Sequence, residues 1–129
     1  MKGCYILLIE IEKDKKIKIG KREIYFKRGY YAYVGSAMNS IEKRLERHLR
    51  MEKRKRWHID YLLEKGKIKK IFYKESKFKE ECDIARKFDS FEFIPKFGSS
   101  DCQCKSHLFY ANSIEAFSEV LADFNLFSF

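Results

Sequence analysis

Gly3-Cys4-Tyr5, at the head of the apolar run Tyr5 to Glu12, and Tyr33-Val34-Gly35, closing the aromatic run Tyr30 to Val34, decide how this chain reads. Both runs alternate as strands do, with branched or aromatic side chains at positions that would share a face. Between them, Ile17-Lys18-Ile19 and Ile24-Tyr25-Phe26 are shorter alternating segments. Turns fall at Lys13 to Lys16, Gly20 to Glu23 and Lys27 to Gly29, so this part of the chain predicts an antiparallel sheet.

Beyond the second string, Asn39-Ser40-Ile41-Glu42 carries a capping-box pattern and predicts a helix from Ser40 to about Lys53. His58 to Lys65 predicts a second helix closed by Gly66, Lys67 to Tyr73 a further strand, and Phe78 to Phe88 a third helix. Asn112-Ser113-Ile114-Glu115 repeats the capping pattern and predicts a last helix through Phe124. Phe91 to Lys105 holds Pro95, Gly98, three serines and two cysteines, and reads as a loop beside the site. The fold class expected is α+β: a small antiparallel sheet flanked by α-helices, in one domain over residues 1–129.

The charge points to a partner. With 28 Lys and Arg against 19 Asp and Glu, the net charge is +9, a balance that favours an anion such as nucleic acid. A lysine-rich surface of a heat-adapted protein is the competing explanation. The apolar run Cys4 to Ile11 is broken by Glu10 and lacks a cleavage site, so neither a signal peptide nor a membrane span is expected, and the expected location is cytoplasmic. In that setting four cysteines read as thiols or metal ligands rather than a disulfide scaffold.

On a helical wheel Ile41, Leu45 and Leu49 form the apolar stripe of the first helix, and Arg44 and His48 fall at its border, while Lys43, Arg47 and Arg50 face away. A border position would place the guanidinium and imidazole at the mouth of a cleft, where Arg matches two phosphate oxygens. The alternative is a snorkelling Arg44 and a helix-border His48. In the third helix Phe78, Cys82, Ile84, Ala85 and Phe88 span one face with Glu81 inside it. A carboxylate there needs a cation, a basic partner or a proton, met either by a divalent metal or by an ion pair with Arg44.

Glycine and tyrosine in these two strings, the Arg44-x-x-x-His48 helix and the later Glu81 together resemble the GIY-YIG nuclease superfamily. The chain is most similar to the archaeal subgroup also found appended to endonuclease-III-type glycosylases. Trp57-His58-Ile59-Asp60-Tyr61, Glu81-Cys82 and Ser100 to Leu108 support that subgroup. The resemblance implies a metal-dependent endonuclease or repair-associated nuclease domain that hydrolyses DNA, and leaves RNA open as a partner. It implies Tyr5 as general base or its relay, Tyr33 as a second phenol near the attacking water, Arg44 on the scissile phosphate and Glu81 as ligand of one Mg²⁺ or Mn²⁺ ion. His48 would shuttle a proton or donate to phosphate. An unperturbed phenol titrates near ~10, so Tyr5 would need a cation beside it to lower that value.

Two departures stand out. The strings are further apart than in compact members, inserting Lys16 to Phe26 as extra β-structure expected to lengthen the sheet. In Pro95-Lys96-Phe97-Gly98, glycine stands where family nucleases often carry asparagine, and Ser99, Ser100 or Asp101 would have to replace its hydrogen bonds. A non-catalytic nucleic-acid-binding module of the same fold is the alternative function.

Three further features are weighed. Lys53-Arg54-Lys55-Arg56 followed by Trp57 offers cations for a strand backbone and an indole for a base, against a solvated turn with Trp57 and Tyr61 as core anchors. Cys82, Cys102, Cys104 and His107 number enough for a tetrahedral zinc site, but Cys-x-Cys is tighter than the usual spacing. Buried thiols are the larger expectation there, with zinc or a disulfide from Cys82 to Cys102 or Cys104 the lesser ones. The apolar tail Phe124 to Phe129 either docks on the core or forms a homodimer contact.

Overall fold

The computed structural model describes residues 1–100 and 102–129, and Asp101 lies outside the described residues. In chain order the elements are β1 Gly3–Ile11, β2 Lys15–Ile19, β3 Arg22–Phe26, β4 Gly29–Ala37, α1 Ile41–Leu49, α2 His58–Lys65, β5 Lys67–Glu75, α3 Glu81–Arg86, β6 Glu92–Phe93 and β7 Leu108–Ala111. A 3-10 turn at Ile114–Phe117 leads into α4 Ser118–Leu121 and β8 Asn125–Phe127. The protein is α+β. Six strands form one sheet in the order β6-β7-β4-β1-β5-β8, every neighbouring pair antiparallel.

β1 is central and covered on both faces, which is why its sequence is almost continuously apolar. Tyr5, Leu7, Ile9 and Ile11 point to one side and pack with Ile41 and Leu45 of α1, Ile59 and Leu62 of α2, and Phe97. Cys4, Ile6 and Leu8 point to the other and pack with Ile84, Phe88, Phe117 and Leu121. The strand alternation thus sorts one run of residues into two cores.

The extra β-structure does not lengthen the sheet. β2 and β3 form a separate two-stranded sheet, laid over α2, with Ile17, Ile19 and Phe26 buried in the first core.

Three helices are shorter than their patterns predict. Ser40, not Asn39, caps α1, its Oγ accepting the Lys43 N–H at 3.2 Å. At the other end Arg50 turns extended, and Lys53 folds back to donate to the carbonyls of Arg47, His48 and Arg50 at 3.2, 2.9 and 3.0 Å. That ammonium satisfies the free carbonyls and favours the negative end of the helix dipole. α3 begins at Glu81 because Ser76 competes for the chain before it: its Oγ accepts the Phe78 N–H and donates to the Phe78 carbonyl. Phe78, expected on the buried face, is 76% exposed. Ser113 makes no side-chain cap, and the last helix divides into the 3-10 turn and α4, held by burial of Phe117 and Leu121. The tail pairs with its own sheet, Phe127 opposite Ile71, leaving Leu126 exposed.

No helix among the described residues is long and apolar enough to cross a membrane.

Candidate active site

The register of β1 against β4 builds the floor of the site. Tyr5 lies opposite Gly35, and Leu7 opposite Tyr33, so Tyr5, Tyr33 and Gly35 share one face of the sheet. The two strings are therefore one structural unit, with Gly35 facing the Tyr5 ring. A Cβ on Gly35 would fall 2.5 Å from the Tyr5 ring, so only glycine admits this approach.

Above the floor, α1 sets Arg44 and His48 one turn apart. A cleft of about 580 Å³ is lined by Tyr5, Tyr33, Gly35, Ser36, Met38, Asn39, Arg44, Arg56, Trp57, His58, Ile59, Lys79, Glu81, Gly98 and Ser100. Sequence positions from four separate elements, Tyr5, Tyr33, Arg44 and Glu81, thus meet in one space.

His48 is not at the border. It is 2% exposed, and its Nε2 is 2.8 Å from the Tyr5 hydroxyl. Burial pushes the imidazole down to about 3, so it is neutral and offers no cationic contact to phosphate. Its Nδ1 is buried without a hydrogen-bond partner among the described residues. The phenols also differ from expectation. Burial pushes Tyr5 above the ordinary range despite the opposing Arg44 guanidinium, and burial, Tyr5 and Glu81 do the same to Tyr33. Desolvation outweighs the nearby cation because both rings sit inside the sheet–helix layer.

Arg44 donates to the Ser36 carbonyl at 3.0 Å and lies over the Trp57 ring at 4.6 Å. Its partner is therefore not Glu81. Glu81 is 16% exposed and faces Lys79 Nζ at 3.1 Å, with its other oxygen 3.9 Å from His107 Nδ1. Gly98 adopts φ +70°, a left-handed conformation that favours glycine, and a Cβ there would meet the Tyr33 ring at 3.1 Å. Ser99 is buried, and Ser100 lines the cleft.

The basic run divides by role. Lys53 is committed to the end of α1, and Lys55 pairs with Glu64 at 2.7 Å. Arg56 reaches the cleft. Arg47, Arg50, Lys53, Arg54, Lys55 and Arg56 line a second pocket of about 420 Å³ with no carboxylate among them. Trp57 is packed against the first core, with Arg44, Arg47 and Arg56 around its ring, so the indole serves as an anchor for guanidinium groups.

Arg47 and Asp60 are the pair that sequence reading misses. Arg47, expected in water, grips both oxygens of fully buried Asp60 at 2.8 Å each, and Asp60 also accepts the N–H groups of Arg56 and Trp57 at 2.8 and 3.0 Å. These bonds hold its carboxyl at about 2 against the opposing effect of burial. The signal available was an aspartate at the third position of α2, where it can cap the helix start. Lys79, within a lysine-rich stretch, carried no such signal.

Cys82, Cys102, Cys104 and His107 also come together, with one ligand atom from each lying within 4.8 Å of the others. Burial and the neighbouring sulfurs push the Cys82 thiol up to about 12. All four cysteines are free thiols, and Cys4 lies apart in the core.

Among known proteins, the family described as "Domain of unknown function DUF123" matches residues 4–126. No curated protein and no solved structure matches the chain.

Proposed function

The chain belongs to the DUF123 family, and we propose that it is a divalent-metal-dependent endonuclease acting on DNA, built as a GIY-YIG nuclease. One observation carries the reading: Tyr5, Tyr33, Arg44 and Glu81 line a single cleft whose rim is basic.

The donor set fits a hard cation. Glu81 is the one carboxylate among the described residues lining the cleft, and it already draws one cation, the Lys79 ammonium at 3.1 Å. A site with one carboxylate and open polar space suits an ion that keeps several waters, such as Mg²⁺ or Mn²⁺. When bound, such an ion supplies charge neutralisation at the phosphoryl oxygens and at the leaving oxygen.

The protein's own groups do the rest. Arg44, held by the Ser36 carbonyl and stacked on Trp57, presents its guanidinium to a phosphate. In the His48 tautomer protonated at Nδ1, Nε2 accepts the hydrogen bond of the Tyr5 hydroxyl at 2.8 Å, which leaves an oxygen lone pair for the cleft. An attacking water passes its proton to Tyr5 and Tyr5 its own to His48 Nε2, while the water oxygen bonds to phosphorus, the P–O bond to the leaving oxygen breaks and solvent water protonates that oxygen. The phosphate charge brought by substrate would favour the imidazolium that results. The cleft shares Arg56 with the all-basic pocket, giving a backbone a continuous cationic path.

The raised phenols favour a second reading, a non-catalytic nucleic-acid-binding module of the same fold. The test is cleavage by the purified chain of labelled duplex, single-stranded, flap, abasic and branched DNA with Mg²⁺ or Mn²⁺. The expected result is metal-dependent cutting that falls by at least about a hundredfold in Glu81→Ala and in Tyr5→Phe, with DNA affinity kept. Tight binding with no cutting on any substrate would instead select the binding module.

A further inference from the structure

Three thiols and one imidazole converge at the edge of α3, outside the chemistry described so far. Cys82 comes from α3, whereas Cys102, Cys104 and His107 come from the segment between β6 and β7. Two of the distances match those of a coordination sphere, and the rest lie within 4.8 Å. A tetrahedral ion with bonds of about 2.3 Å to sulfur and about 2.0 Å to nitrogen holds its sulfurs about 3.8 Å apart and sulfur from nitrogen about 3.5 Å. His107 Nε2 lies 3.8 Å from Cys82 Sγ and 3.6 Å from Cys102 Sγ. A disulfide would need two sulfurs at about 2.05 Å, and Cys82, Cys102 and Cys104 are all free thiols.

We propose that Cys82, Cys102, Cys104 and His107 bind one Zn²⁺ ion as a closed structural site. Four protein ligands leave no open position for water or substrate, which separates this ion from one at Glu81. The donors are soft sulfur and imidazole, where Glu81 offers hard oxygen, so the two sites select different metals. A metal crosslink would tie the short helix α3 to the segment between β6 and β7. The tight Cys102-x-Cys104 spacing is accommodated because the other two ligands come from α3 and from the end of the same segment.

His107 also ties the ion to the cleft. With Nε2 turned to the sulfurs, its Nδ1 faces Glu81 Oε2 at 3.9 Å. A carboxylate behind a ligating imidazole is the usual arrangement for orienting such a ligand. The zinc site therefore positions the start of α3, and Glu81 with it.

The test uses the full chain purified without chelators. The expected result is about one zinc per chain by elemental analysis, and replacement by Co²⁺ gives the intense visible d–d absorption of a tetrahedral thiolate site. Cys104→Ser, which retains three ligands, should bind Co²⁺ at least about tenfold more weakly. Cys4→Ser, outside the cluster, should leave the cobalt spectrum unchanged. Chelation should lower the melting temperature of the wild type and leave that of Cys104→Ser nearly unmoved. A cobalt complex with the weak bands of an octahedral site, metal-free protein with one disulfide among these cysteines, or a Cys104→Ser spectrum identical to wild type would each overturn the proposal. None of these readouts depends on DNA cleavage, so the zinc site and the nuclease reading can fail separately.

Discussion

Gly35 and Tyr5 face each other across two antiparallel strands, so close that a Cβ on the glycine would fall 2.5 Å from the phenol ring. The pairing explains the tyrosine of the first string and the glycine of the second. One strand supplies the ring, and the other clears the space for it.

Gly35→Ala therefore should lower stability by about 1–3 kcal/mol, the usual result of overpacking a filled core. Displacement of the ring should also break the 2.8 Å bond from Tyr5 to His48. Urea unfolding of the variant checks this, and a wild-type midpoint would mean that the ring does not occupy the space opposite Gly35.

The buried His48 makes stability depend on pH in one direction. Its folded value is depressed to about 3, so in mild acid the unfolded chain takes up a proton that the folded chain refuses. The contribution is fully present above the ordinary histidine value of ~6.5 and is lost as pH falls toward 3. The stability gap between wild type and His48→Gln should therefore narrow by about 2 kcal/mol between pH 7 and pH 5. A constant gap over that range would place the imidazole in contact with water.

Asp60 should be the more costly residue to alter. Asp60→Asn leaves Arg47 without its charge partner, at about 3–5 kcal/mol. The wild type should also lose stability as pH falls from the ordinary carboxylate value of ~3.9 through the folded value of about 2, because the native carboxylate holds off its proton longer than the unfolded one. Chemical denaturation of both proteins at neutral and acid pH measures the two effects. An Asp60→Asn midpoint equal to wild type would show that the Arg47 pair carries no net stability.

Neighbouring cations should behave differently on DNA. Arg54→Ala with Arg56→Ala should reduce the magnitude of the salt slope of binding by about two, one counterion for each lost phosphate contact. Lys53→Met should leave that slope unchanged and instead cost about 0.5–1 kcal/mol of stability, because its ammonium caps α1. Binding isotherms at several salt concentrations separate the two. Equal slopes for the wild type and the double variant would remove Arg54 and Arg56 from the interface.

Local pattern was enough for the α+β class, the long strands β1 and β4, the start of α1 to within one residue, and α2 with its stop at Gly66. These follow from side-chain period and from capping groups a few residues apart, which the chain carries wherever it folds. The order of the two strings, with Arg44 and Glu81, likewise marked the residues that line the cleft. The tertiary structure alone decided that His48 is buried on Tyr5, that Arg47 belongs to Asp60, that Lys53 and Lys55 are already engaged, and that the β2–β3 hairpin leaves the main sheet. It also decided the convergence of Cys82 with Cys102, Cys104 and His107. The burial of His48 on Tyr5 and the thiol–imidazole cluster rest on contacts between residues distant in sequence, and desolvation and ion pairing depend on what packs around a group rather than on the residues beside it in the chain.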